Sequence, residues 1–370
     1  MARDEKVFLH QSLSTPCLSA VSGSEDIYLQ DLQGRRIMDF HGNSVHQVGY
    51  GNPRVIEAVQ AQLARLPFCP RRFTNHAAVE LAERLTELAP GDLNKILFAP
   101  AGTAAIGMAL KLARYATGRH KTVSMWDSFH GASLDAISIG GESLFRKDVG
   151  PLLPGTEHIP PPTRGRCHFN CKDEAHTGCT DYLDYVLGVQ GDVAAVIAEP
   201  MRWTTVEPPP EGYWQRVRAS CDRHGALLIF DEIPSALGRT GKMFVCEHFG
   251  VVPDMLVIGK GLGGGVFPMA ALIVREDLDI AGDRALGHYT HEKSSVGCAA
   301  GLATLDCLLE DNLMQNAADL GAEALADLRQ MASSHPLVED VRGLGLHLGS
   351  ELARNGEPAA ADADAILYQS

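Results

Sequence analysis

An acidic residue and a lysine each follow an apolar run in the middle of the chain. Asp231 closes the run LLIFDE, and Lys260 closes the next run, MLVIGKGLGGG. Ligands of open α/β sheets bind beyond the carboxyl ends of the strands, so both side chains are expected in one crevice. A lysine followed by glycines suits a Schiff base to an aldehyde cofactor, and an aspartate suits a pyridinium nitrogen. Taken alone, Lys260 could equally be a solvated lysine at a strand end.

A second candidate site lies in FAPAGTAAIGMALKLAR, where a strand is followed by the start of an Ala-rich helix. Backbone N–H groups and the Thr103 hydroxyl at this helix start favour an anion such as phosphate. The alternative is that Thr103 is an ordinary N-cap of a core helix. Phe129, in DSFHG, could stack on a planar ring or fill the core. The GKGLGGG run is a weak dinucleotide fingerprint, because VFPMAALIV after it reads as a strand and not as a helix.

The elements that position these residues alternate between apolar runs and helix-period stretches, which predicts an α/β architecture. Several runs are apolar on both faces, as in a parallel sheet covered on both sides. A hairpin is predicted at residues 27–40, and a helix is predicted to start at Pro53. The predicted strands are Lys95–Pro100, Lys121–Trp126, Val193–Pro200, Ala226–Glu232, Asp254–Lys260 and Met269–Val274. Helices are predicted at Ala104–Ala116 and Tyr213–His224.

Composition restricts the kind of partner. The chain has 370 residues, 45% of them hydrophobic and 21% charged, and its net charge is −14. An acidic chain without a basic run argues against nucleic acid as a partner. The sequence has no signal-peptide core and no run long enough for a membrane span, so a soluble cytoplasmic protein without membrane contact is expected. Nine cysteines in such a chain are expected to be reduced.

Further motifs join these in a recognisable order: Gly102-Thr103-Ala104-Ala105, Phe129-His130-Gly131, Glu199-Pro200, Asp231-Glu232-Ile233, Gly238-Arg239-Thr240-Gly241, Lys260 with its glycines, Thr290 ahead of Cys298-Ala299-Ala300, and VRGLGL. From about Ile27 to about Leu352 the chain resembles the class III aminotransferases, which use pyridoxal 5′-phosphate (PLP). The resemblance implies the fold-type I PLP-dependent transferase fold. In that fold a large domain has a mostly parallel seven-stranded sheet covered by helices, and both chain ends form a smaller α+β lobe. We therefore expect residues 1–50 in the small lobe, 51–290 in the PLP-binding domain, and 291–370 as a linker helix with an incomplete C-terminal small domain.

The resemblance also implies roles for single residues. Lys260 is expected to carry the cofactor and move a proton, and Asp231 to pair with the pyridine nitrogen. Thr290 is expected to reach the cofactor phosphate of a neighbouring subunit, which implies a homodimer with shared active sites. The remaining cofactor-binding residues are expected to be the phosphate cup with the Ala104 amide, the stacking ring and three further contacts: Gly102, Thr103, Ala104, Phe129, His130, Glu199 and Ile233.

Four departures from the family pattern bear on function. Ala104 replaces the usual Glu of the phosphate cup, and Pro234 replaces a Gln that contacts the phenolic oxygen of the cofactor. Ser294 and Ser295 stand where the family usually has Asn-Pro. The family also continues for several dozen residues beyond the position of Ser370, often with an arginine for a substrate carboxylate. Either the chain is truncated or its substrate is held differently.

Extra cationic groups favour an anionic amine as substrate. The stretch around His46, which also holds His41, Asn43 and Gln47, resembles the first substrate-lining segment of the family. Arg71, Arg72 and Arg202 are suited to a carboxylate or phosphonate. For each arginine, a surface or ion-pair role is equally open. We predict Arg71, Arg72, Arg202 and His46 as the substrate-binding residues.

Three functions remain open. The segments FHGNSVHQVGYG, DEIPSALGRTGKMF and GHYTHEKS resemble a branch of the family whose members are ammonia-lyases acting on a hydroxy-aminoalkylphosphonate. A transaminase would use the same first proton transfer but would need a 2-oxo acid acceptor. A truncated, inactive paralogue is the third alternative, although Lys260 and Asp231 are both present.

One cluster lies outside the family pattern, in RCHFNCKDEAHTGC: Cys167, His168, Cys171, His176 and Cys179. The ligand types suit zinc, but the spacing lacks the repeated C-x-x-C knuckle. We expect a polar insertion with reduced cysteines and no metal.

Overall fold

The computed structural model describes residues 2–12, 17, 19–163, 167–169, 171 and 177–369. It begins with a short helix, α1 (Ala2–Val7), and three antiparallel strands, β1 (Val21–Glu25), β2 (Tyr28–Asp31) and β3 (Arg36–Met38). Strands β2 and β3 confirm the hairpin that the sequence predicts.

Two helices follow this small sheet, α2 (Pro53–Arg65) and α3 (His76–Leu88). Each is capped by an asparagine: the side chain of Asn52 accepts from the amide of Arg54, and that of Asn75 accepts from the amide of Ala78. The predicted helix start at Pro53 is confirmed.

A seven-stranded sheet forms the centre of the protein, with spatial order β4-β10-β9-β8-β7-β5-β6. Its strands are β4 (Leu93–Ala99), β5 (Lys121–Met125), β6 (Thr156–Ile159), β7 (Val193–Ala198), β8 (Leu227–Asp231), β9 (Met255–Ile258) and β10 (Ala270–Arg275). The predicted mostly parallel sheet is confirmed: β10 alone runs antiparallel to both of its neighbours.

The antiparallel strand has a simple cause. The chain between β9 and β10 is too short for a crossover helix, and a short connection can join only antiparallel neighbours. All six predicted strands are found, whereas β6 was missed. It has four residues, of which only Ile159 is buried, so it lacks an apolar run.

Helices cover the sheet on both faces. Those that connect its strands are α4 (Gly102–Thr117), α5 (Leu134–Ile139), α6 (Ser143–Arg146), α7 (Thr177–Gln190) and α8 (Tyr213–His224). Helices α9 (Ser295–Glu310) and α10 (Leu313–Ala332) follow the last sheet strand. The chain then forms a second small antiparallel sheet and a final helix: β11 (Val338–Leu344), β12 (His347–Arg354), β13 (Glu357–Pro358) and α11 (Ala360–Gln369).

Alternate residues of the strands enter two separate cores. Phe230 of β8 packs edge-to-face on Trp214 of α8, with 4.7 Å between ring centroids, in the core shared with α2, α3, α7 and α9. Its neighbour Ile229 points the other way, into the core formed with Ile106 of α4. Because both faces are buried, the strands are held rigidly and their carboxyl ends have fixed positions. Within the described residues, no helix is long and apolar enough to cross a membrane.

Candidate active site

Asp231 is the last residue of β8 and is only 2% exposed. Its Oδ2 lies 2.8 Å from Nδ1 of His130, and its Oδ1 accepts from the amide of Ile233 at 3.1 Å. The other ring nitrogen of His130 lies 3.4 Å from the hydroxyl of Ser124. These contacts fix the carboxylate in one orientation at the end of the sheet.

The next carboxyl group, that of Glu232, faces away from this site. It accepts from the amides of Val245 at 2.6 Å and Cys246 at 2.8 Å. Burial raises the pKa of Glu232 to about 7, although both amide bonds favour its charged form. Adjacent acids therefore have different tasks, because successive side chains of a strand point to opposite faces.

Lys260 lies two residues beyond the end of β9, with φ of 46°. A side chain rarely occupies this left-handed region, and such residues cluster at functional sites. Burial lowers the pKa of Lys260, while the charges of Asp231 and Glu199 oppose the shift. The ammonium nitrogen lies 5.4 Å from the ring centroid of Trp203. A lysine with a lowered pKa has more neutral amine, the form that attacks a carbonyl or takes up a proton.

Glu199 follows β7 and joins two loops of the site. One of its oxygens accepts from the amide of Phe129 at 3.3 Å, and the other accepts from the amide of Trp203 at 2.9 Å. Burial raises the pKa of this carboxyl group. Phe129 and Trp203 are thereby anchored to the strand that carries Glu199.

The start of α4 supplies small groups and open space. Ala101 is the N-cap and makes no side-chain capping bond, so the alternative role of Thr103 as N-cap is wrong. The Thr103 hydroxyl instead lies 2.5 Å from that of Ser133. A Cβ on Gly102 would lie 2.7 Å from Ile233, and one on Gly131 would lie 2.6 Å from Thr103. Glycine at both positions therefore lets Ile233 and Thr103 approach the backbone closely.

These groups line a cavity of about 380 Å³. Its lining is Gly102, Thr103, Phe129, His130, Gly131, Glu142, Leu144, Phe145, Glu199, Trp203, Thr204, Asp231, Ile233, Pro234 and Lys260. Among the described residues, the predicted cofactor residues that do not line it are Ala104 and Thr290. Ala104 is buried in the first turn of α4, where its amide donates to the carbonyl of Ala101 at 3.1 Å. Thr290 is exposed on the segment between β10 and α9.

The predicted substrate residues are not part of this lining in the described chain. Arg202 is buried beside it and donates to the carbonyl of Asp127 at 3.0 Å. Arg71 is half-buried and Arg72 is exposed. His46 is buried, with its Nε2 3.2 Å from the carbonyl of Asp39.

Two residues near the cavity were missed by the sequence analysis. His347 of β12 is 5% exposed, and its ring packs on that of Trp203 with 4.2 Å between centroids. Burial lowers its pKa to about 4, helped by the charges of Arg239 and Lys260. Arg239 places Nη2 3.4 Å from Nδ1 of His46, and burial lowers its pKa.

Arg239 is a half-buried cation without a counter-ion in the described part of the chain. No described carboxylate forms a salt bridge with it, and its Nε has no hydrogen-bond partner there. A guanidinium withdrawn from water normally has an anionic partner. In the sequence, Arg239 stands out only as part of the family motif Gly238-Arg239-Thr240-Gly241, which does not predict that it binds a ligand.

Comparison with known proteins identifies the family. The model of the class III aminotransferases matches residues 10–367. A (R)-1-hydroxy-2-aminoethylphosphonate ammonia-lyase from Vibrio splendidus (strain 12B01) is 49% identical, in an alignment that covers all of this chain and 81% of that protein.

Solved structures agree in fold. A thermostable (S)-enantioselective omega-transaminase from Thermomicrobium roseum superposes with a TM-score of 0.89 at 31% identity, over 97% of this chain and 84% of the other. A taurine:2-oxoglutarate aminotransferase from Bifidobacterium kashiwanohense, solved with PLP and glutamate, has a TM-score of 0.88 at 28% identity, over 96% and 85% of the two chains. The chain therefore belongs to the class III aminotransferase family.

Proposed function

We propose that the chain binds PLP in the cavity between Asp231 and Lys260. The donor set fits this cofactor: a fixed carboxylate for the pyridine nitrogen, a half-buried lysine for the aldehyde carbon, and Phe129 for the ring face. Gly102, Thr103 and Gly131 line the cavity at the start of α4, where the helix dipole favours an anion such as phosphate. Supplying an electron sink for a carbanion is the chemistry that PLP brings to such a site.

The protein residues then have separate roles. Asp231, held by His130, keeps a proton on the pyridine nitrogen through its negative charge. Lys260 takes the proton from the substrate carbon that bears the amine, since its lowered pKa increases the share of neutral amine, the form that can act as a base. Phe129 and Trp203, anchored through Glu199, exclude water from this proton transfer.

We propose elimination as the reaction of this site. The carrying observation is the 49% identity to the ammonia-lyase over the whole chain, against 28–31% for the two transaminases compared above. After Lys260 has removed the proton, the hydroxyl leaves the neighbouring carbon. The resulting enamine hydrolyses to an aldehyde and ammonia. For (R)-1-hydroxy-2-aminoethylphosphonate the products are phosphonoacetaldehyde and ammonia, with no second substrate consumed.

An anionic substrate needs cationic contacts. Arg202 directly precedes Trp203 of the cavity wall in the chain. Arg239 lies within electrostatic range of His347, whose ring packs on Trp203. His46 contacts Arg239, so it belongs to the same group. Arg71 and Arg72 do not line the described cavity, and we propose them only as secondary contacts to the substrate. A bidentate guanidinium contact suits a phosphonate better than a lysine would.

We further propose that the enzyme is a cytoplasmic homodimer in which Thr290 contacts the cofactor phosphate of the partner subunit. The exposure of Thr290, outside the cavity of its own chain, supports this role. Cross-linking that fails to detect a dimer, or a Thr290→Ala variant with unchanged PLP affinity, would contradict it. We also propose domain boundaries at residues 50 and 290, with the PLP-binding domain between them.

The reaction is tested by omitting any oxo acid. Purified protein loaded with PLP is given racemic 1-hydroxy-2-aminoethylphosphonate alone, and ammonia and aldehyde are both measured. Elimination predicts equal amounts of the two over many turnovers, with no effect of added pyruvate. Transfer of the amino group to added pyruvate or 2-oxoglutarate, without release of ammonia, would establish the transaminase alternative instead. Failure of both reactions, while PLP still binds, would favour the inactive paralogue.

A further inference from the structure

Three cysteines converge where the chain passes from β6 to α7. The sulfur atoms of Cys167, Cys171 and Cys179 all lie within 4.8 Å of one another, and those of Cys167 and Cys179 are 3.5 Å apart. All three are free thiols. His176 lies outside the described residues, and the described His168 is exposed.

The spacing of the sulfur atoms fits a tetrahedral metal site. Zn–S bonds of about 2.3 Å in tetrahedral geometry separate the sulfurs by about 3.8 Å. A disulfide would need about 2.05 Å between two of them and would leave the third thiol alone. The three sulfurs form one compact group, as ligands of a single ion do, and Cys167 lies twelve residues before Cys179 in the chain.

The cluster lies at the edge of the core. Cys179, in the first turn of α7, is 1% exposed, and the half-buried Cys167 and Cys171 pack against the same core as α7 and α8. Structural zinc sites have protein ligands in all four positions. The cluster therefore ties the segment after β6 to the helix that leads into β7.

The electrostatics of the thiols differ among themselves. Burial raises the pKa of Cys179 strongly, and its neighbours Cys167 and Cys171 raise it further. At Cys167 burial opposes ionisation, but hydrogen bonds from Cys171 outweigh it and lower the pKa. A divalent ion would allow all three to ionise and would release protons on binding.

A buried hydroxyl group lies within electrostatic range of the cluster. The hydroxyl of Tyr213, a fully buried residue of α8, has no hydrogen-bond partner among the described residues. Burial raises its pKa, and so do the charges of Cys179 and Cys167, which places it in their electrostatic range. A buried hydroxyl needs an acceptor, and metal-bound thiolates commonly accept such outer contacts.

We propose that Cys167, Cys171 and Cys179 bind a structural zinc ion that fastens the segment after β6 to α7. The ion would complete its tetrahedron with one further ligand, and it takes no part in the chemistry at Lys260. The proposal does not depend on the reaction that the enzyme catalyses.

The test measures metal in the full-length protein, purified without chelators from zinc-supplemented cells. Wild type should contain about one zinc per chain. Cys179→Ser should contain less than a fifth of that, because a site loses most of its zinc affinity when one of its three thiolate ligands is removed. Cys221→Ser is the matched control, because it removes an equally buried thiol from the adjacent helix α8. Its zinc content should equal that of wild type.

A second measurement needs no variant and therefore no assumption about folding. Wild-type protein is treated with an alkylating reagent before and after removal of metal by a chelator, and labelled cysteines are located by mass spectrometry. Labelling of Cys167 and Cys171 should rise at least about tenfold after chelation, because bound thiolates are shielded. Wild-type protein with less than about a tenth of an equivalent of zinc, labelling unaffected by chelation, or a disulfide within the cluster would each overturn the proposal.

Discussion

The cavity at Asp231 and the cysteine cluster at Cys179 are both groups of reactive side chains, but they are built differently. Residues of the cavity extend from the ends of buried strands and from the start of α4, so the sheet fixes their spacing. Two of the three cysteines lie on an irregular segment, and only Cys179 lies on a helix. Strand ends therefore provide geometry in advance, whereas the cluster needs a ligand of its own to hold the segment together.

The strongest way to break this contrast is to remove the amine of the cavity. Lys260→Ala should lower kcat by at least about 10⁴-fold, because the variant loses both the attachment group and the base. Lys111→Ala, an exposed lysine of α4, is the control and should keep full activity. Steady-state ammonia release measures both. Activity of Lys260→Ala within tenfold of wild type would move the chemistry away from this residue.

Adjacent carboxyl groups give a sharper version of the same comparison. Asp231→Asn keeps the shape and the contact with His130 but removes the charge, so kcat should fall about 10²- to 10⁴-fold, as for other charge-stabilising groups. Glu232→Gln alters the group that accepts from the Val245 and Cys246 amides. It should lower the melting temperature and leave kcat nearly unchanged. Equal losses of kcat in both variants would refute the division of tasks.

The arginine without a counter-ion is the next test. Arg239→Gln should raise KM for the phosphonate substrate by about 30-fold or more, corresponding to at least about 2 kcal/mol for a lost charged contact. A β-hydroxy amine without a phosphonate should be unaffected, which separates anion recognition from damage to the fold. Arg216→Gln, at an exposed arginine of α8 that has no proposed role in binding, serves as the matched control. Unchanged KM in Arg239→Gln would leave Arg202, or the peripheral Arg71 and Arg72, as the anion contacts.

The last test does not concern the reaction but the pH dependence of stability caused by His347. Its pKa is about 4 in the folded protein and about 6.5 when unfolded. Between these values the unfolded state binds more protons, so the free energy of unfolding rises with pH and levels off above about 6.5. The total change is about 3.5 kcal/mol at most, at about 1.4 kcal/mol per pKa unit. Chemical denaturation of His347→Gln from pH 4 to 7 should show a flatter slope than wild type, and an equal slope would contradict the account.

The sequence predicted the parts of the site that depend on local pattern. Asp231 and Lys260 each end an apolar run, and parallel strands bring their carboxyl ends to one edge, so the pairing follows from the sheet alone. His347 and Arg239 carry no such signal. His347 reaches Trp203 only because β12 of the last small sheet packs there, a tertiary contact that no period in the sequence encodes. Strand β6 was missed because its local pattern is weak: three of its four residues are only half-buried, so they form no apolar run.

The attachment of the cofactor tests the central claim most directly. Wild-type protein loaded with PLP is reduced with borohydride, digested, and mapped by mass spectrometry. We predict that the mass of the reduced cofactor is found on the peptide that contains Lys260, with a stoichiometry of about one per chain, as covalent lysine attachment requires. Cofactor fixed to any other lysine, or no fixed cofactor in a yellow protein, would contradict the account.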